Sequence, residues 1–184
     1  MNKAILLSLV SVTFGVVGAL GGCGGESDGD TADGAACFDY STFDGTTPAT
    51  TFKADVLPIF QRSCGLSPTC HGDPTSPVEG NQQRTYLGPP QTETATQEQI
   101  DAIMAANVNK ASIKGAPMKL ITPGDPENSF NMHKMDGLCA ANKPCEGVGP
   151  GSGCGETMPQ KSAILSEDER NIIRRWIAQG AKND

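Results

Sequence analysis

From Ala4 to Leu20 the chain is almost wholly apolar or small, behind a short basic start, Met1-Asn2-Lys3. A run this short, closed by Gly21 and Gly22, reads as a secretory leader over residues 1–22 and not as a retained span. The pattern then inverts. Residues 24–36 are Gly, Asp, Ser and Thr with almost nothing apolar, the composition of a flexible tether. Residues 37–51 stay polar and Thr-rich, with Phe38, Tyr40 and Phe43 as possible surface anchors. The expected layout is leader 1–22, N-terminus and linker 23–50, and one folded domain over 51–184.

Within that domain the apolar period is helical. Phe52, Val56, Ile59 and Phe60 share one face and predict a helix over 52–64, which Pro58 starts or kinks. Residues 72–95 read as loop, with Tyr86-Leu87 as their apolar pair. Thr96-Gln-Glu-Gln99 resembles a capping box ahead of Ile100, Ile103, Met104 and Val108, predicting a helix over 97–109. Asp125 as cap, Pro126 at the first position and Gly137 at the end predict a third helix over 126–135. Ser166 and Glu169 box the start of a fourth, striped by Ile172, Ile173, Trp176 and Ile177 and closed by Gly180. Arg174 and Arg175 are expected at its negative dipole end. No strand signal matches these in strength, so the expected class is all-α with long loops.

The formal net charge is −7, and losing Lys3 with the leader makes it one unit more negative. An acidic chain argues against nucleic-acid binding and against electrostatic adhesion to anionic lipid. Residues 138–159 lack periodicity but hold Cys139, Cys145 and Cys154, a loop that needs a staple or a function. No Gly-x-Ser-x-Gly, His-Glu-x-x-His or glycine-rich phosphate loop is present, so nothing points to an enzyme. Glu167-Asp168-Glu169 reads as a helix's first turn, not a catalytic pair.

The chemistry gathers at Cys64-Gly-Leu-Ser-Pro-Thr-Cys70-His71. A histidine directly after the second of two cysteines ends the covalent haem attachment signature, but the usual Cys-x-x-Cys-His has two intervening residues and this chain has five. The same residues read alternatively as a local Cys64–Cys70 disulfide beside a loop histidine. A zinc site of Cys64, Cys70, His71 and a later cysteine is a third reading, disfavoured in an oxidising compartment.

Leu20-Gly-Gly-Cys23 resembles a bacterial lipobox, which implies a lipid-anchored Cys23 and a cell-envelope location, periplasmic or on the outer membrane. Val56-Leu-Pro-Ile-Phe60, Cys70-His71-Gly72, Pro123-Gly-Asp-Pro-Glu-Asn-Ser129, Met158-Pro159 and Trp176-Ile-Ala-Gln-Gly180-Ala181 together resemble a class I cytochrome c domain over residues 52–181. That resemblance implies a small helical domain with disulfide-stapled loops and one covalent haem c. It implies thioethers to Cys64 and Cys70, His71 as proximal ligand and Met158 as distal ligand, with iron held by His71 and Met158. The haem pocket would use Leu57, Phe60, Ile173 and Trp176. His133 is the rival distal ligand, read here instead as an exposed helix residue. The function implied is single-electron transfer with exported redox proteins or a membrane oxidoreductase. The alternative is a haem-free, disulfide-stapled binding or structural module of the envelope, which the five-residue spacing supports.

Overall fold

The computed structural model describes residues 37–75, 85–138 and 153–184. The leader and Cys23 with its tether lie outside them, as do Cys139 and Cys145. Four α-helices appear among the described residues: α1 Leu57–Ser63, α2 Gln97–Asn107, α3 Phe130–Met135 and α4 Glu167–Ala178. A 3₁₀ turn, Tyr40–Thr42, and a π-helical turn, Phe52–Val56, precede them. Only isolated bridges occur in place of strands there, such as Val108 with Ile121 and Lys119 with Ser129. The helical class stands.

The first expected helix divides in two. The Leu57 amide bonds the Phe52 carbonyl, five residues back, before α1 begins. Pro58, at the start of α1, has no N–H to give the Ala54 carbonyl, so the four-back register has no donor there. The widened turn sinks Phe52 and Val56 beside Phe60, all essentially unexposed.

Both capping boxes form. Thr96 exchanges bonds with Gln99, and Ser166 with Glu169, satisfying amides that the first helical turn would otherwise orphan. The third helix is shorter than its sequence signals. Asp125 accepts from the Asn128 amide, and the Ser129 hydroxyl receives the Thr122 amide while donating to the Asp125 carbonyl. Those bonds hold 125–129 as a turn, so the helix begins only at Phe130.

Helix α4 closes the core. Phe52 stacks on Trp176 with ring centroids 5.1 Å apart, and meets Phe60 at 6.1 Å. Ile173 and Ile177 complete that face. The C-terminus is bound back: Trp176 Nε1 donates to the Lys182 carbonyl, and the Lys53 amide to that of Asp184.

Residues 37–50, expected as linker, are built into the domain. Gln179 receives the Thr50 amide and donates to the carbonyls of Gly45, Thr46 and Pro48. Phe38, Tyr40 and Phe43 surround the Arg174 guanidinium, whose carbon lies 3.4 Å from the Phe38 ring centre. Arg174 is 0% exposed and pairs with Asp136, which also binds Arg170 at 2.9 Å and the Tyr40 hydroxyl at 2.9 Å. Arg174 is therefore a buried junction between this segment and α4. Burial, with the Asp136 carboxylate beside it, pushes the Tyr40 phenol well above its ordinary range.

Candidate functional site

Helix α1 delivers Cys64 to the head of a tightly bonded loop. The Cys64 and Gly65 amides both bond the Phe60 carbonyl, ending the helix. The His71 amide returns to the Cys64 carbonyl at 3.0 Å, and the Cys70 and Gly72 amides both bond the Ser67 carbonyl. Gly65 is required here, since a Cβ would collide with the Gly88 carbonyl oxygen. Five residues between the cysteines make a self-bonded loop with Leu66 at its outer edge, 43% exposed.

A second segment braces this loop. The Leu87 amide bonds the His71 carbonyl at 2.9 Å, and His71 Nδ1 meets the Thr85 carbonyl at 2.7 Å. Asn107 Nδ2 donates to the Tyr86 carbonyl and to Ile103 of its own helix. Gln61 Nε2 reaches the carbonyls of Pro89 and Glu93. Sequence reasoning singled out neither Asn107 nor Gln61, because a polar residue at a helix end or flank looks the same whether it faces water or a buried carbonyl.

The two cysteines differ in state. Cys64 is a free thiol, 7% exposed, with its ionisation pushed up to about 12 by burial. Cys70 is disulfide-bonded, as are Cys37 and Cys154. Because Cys64 is free, the Cys70 bond goes elsewhere, and a local Cys64–Cys70 disulfide is not what the chain forms. Ser67 Oγ also lies 3.5 Å from Cys70 Sγ.

Met158 lies on another element. Its amide bonds the Lys134 carbonyl on α3 at 2.8 Å, and Lys134 Nζ donates to the carbonyls of Cys154 and Glu156. Burial lowers the Lys134 ammonium to about 8. His133, expected to be exposed, is 4% exposed, with Nε2 2.8 Å from the Glu127 carbonyl. That bond spends the ring on fastening α3 to the turn before it.

The loop and the Met158 segment border one cleft of about 310 Å³. Leu66 lines it from one side, Pro159, Ile164 and Leu165 from the other, with the Arg62–Glu169 ion pair alongside. Leu57, Phe60, Ile173 and Trp176 do not line it; they are packed against each other in the core.

Two-thioether attachment of haem c consumes both thiols of the pair, and here the Cys70 sulfur is already bonded while Cys64 is enclosed. The residues present do not fit that group. Among the described residues, no cluster of His, Cys, Asp and Glu is arranged to hold a metal ion, and no helix is long and apolar enough to cross a membrane. Comparison with protein-family models, with curated proteins and with solved structures returns no match.

Proposed function

We propose that the chain is a haem-free helical module of the cell envelope, anchored through a lipid on Cys23 and held by disulfides. It works by binding or by structure rather than by electron transfer. One observation carries this reading: the Cys70 sulfur is committed to a disulfide other than one with Cys64, while Cys64 stays a buried thiol. The sequence resemblance to cytochrome c would then stand without the attachment chemistry it implies. The cleft beside Leu66 and Ile164, both exposed apolar side chains, is the place where such a module would make contact.

The test is expression from Met1 in a host equipped for c-type cytochrome maturation, followed by haem staining of a denaturing gel. The expected band does not stain, and a stained band would overturn the reading. Cys23→Ser is expected to move the protein from the membrane fraction to the soluble one.

A second reading, a lipid-anchored monohaem protein exchanging single electrons with exported partners, is favoured by the His71–Thr85 contact. A ligand imidazole is commonly oriented by such a bond from its other nitrogen. Haem would supply the one-electron chemistry. That reading first requires the Cys70 disulfide to be opened.

A further inference from the structure

We propose that Cys64 is a resolving thiol, poised to displace the present partner of Cys70 and close a Cys64–Cys70 disulfide, so that the loop over 65–69 is a thiol–disulfide switch. The proposal rests on the haem-free reading.

Two observations carry it. A free thiol and a bonded sulfur stand at the two ends of one loop. The 3.0 Å bond from the His71 amide to the Cys64 carbonyl ties those ends together, since the bonded atoms are the Cys64 carbonyl oxygen and the peptide nitrogen that follows Cys70.

The step is redox-neutral. Cys64 gives its proton to solvent and its sulfur attacks Cys70 Sγ along the S–S axis. The Cys64–Cys70 bond forms as the bond from Cys70 to its partner breaks. The electron pair leaves on the partner sulfur, which takes up a proton. No oxidant or reductant is consumed, and the number of thiols is unchanged. What changes is which segment is fastened: the partner's segment is released while the loop is closed on itself. Burial of Cys64 under the loop keeps the exchange silent until the loop opens.

Trypsin makes the two states distinguishable. No Lys or Arg lies between Ser63 and Arg84, so Cys64 and Cys70 share one tryptic peptide and every other cysteine lies on another. Full-length protein purified from membranes is incubated at pH 8.5 in a urea concentration below its unfolding transition, without oxidant. It is then quenched with acid and N-ethylmaleimide, and mapped by mass spectrometry without reduction. The expected result is loss of the crosslink between peptide 63–84 and its partner, with gain of the free peptide lighter by two hydrogens. Cys64→Ser, and wild type incubated with N-ethylmaleimide throughout, are expected to keep the crosslink. A wild-type crosslink that persists would overturn the switch alone, as would equal scrambling in Cys64→Ser. Haem on peptide 63–84 would overturn the haem-free reading together with it.

Discussion

Arg174 shows how one side chain commits a whole segment. Its guanidinium carries a positive charge into the interior, where Asp136 balances it and three aromatic rings cover it. Arg174→Met is expected to destabilise the fold by about 3 kcal/mol, the low end for breaking a buried pair, because Arg170 still holds Asp136. Urea denaturation measures the loss. Arg174→Met should also increase proteolysis near Phe38. At Glu169, burial works against ionisation, but bonds from Arg62 and Ser166 outweigh it, and the carboxyl is held below its ordinary value of 4.5. A lowered folded value means the stability is present above pH 4.5 and is lost as pH falls through the folded value. Glu169→Gln should flatten the acid limb of a stability–pH profile; an unchanged limb would remove Glu169 as its source.

Among the elements, α4 was the most legible from sequence and α3 the least. Ser166, Glu169 and the stripe through Trp176 act within a single helix, so a one-dimensional pattern suffices to find them. Ser166→Ala is expected to cost about 1 kcal/mol by orphaning a first-turn amide, readable as a shift in the urea midpoint. The third helix starts four residues later than its signals because Ser129 bonds Thr122, a contact no local rule contains. Pro58 was correctly a disruption, but the π turn it accompanies also depends on how deeply Phe52 sits against Trp176. His133, expected to be exposed, was misplaced for the same reason. A polar residue on a short helix has no sequence mark distinguishing a solvated site from a buried one with a partner. Gly65→Ala tests the loop element: collision with the Gly88 carbonyl should cost about 2 kcal/mol and shift the Leu87 and His71 amide resonances together.

At the scale of the whole molecule, the segment from Cys37 to Thr50 is fastened to the rest by Gln179 and by the Arg174 cage. The sequence put Cys64 at a helix end with Cys70 and His71 in the loop after it, and the resemblance put Met158 in a later loop; Leu66 and Pro159 bring those two loops to one cleft, which none of the four residues lines. The state of the sulfurs was beyond the sequence's reach, since disulfide partners are set by three-dimensional proximity and every pairing scheme is equally compatible with the order of cysteines. That state decides between an electron carrier and a haem-free module. The direct measurement is the reduced-minus-oxidised absorbance spectrum of the full chain, produced alongside c-type maturation machinery and purified from membranes. The expected result is a featureless visible spectrum with Cys64 recovered as an unmodified thiol. A sharp α-band that survives denaturation would contradict it.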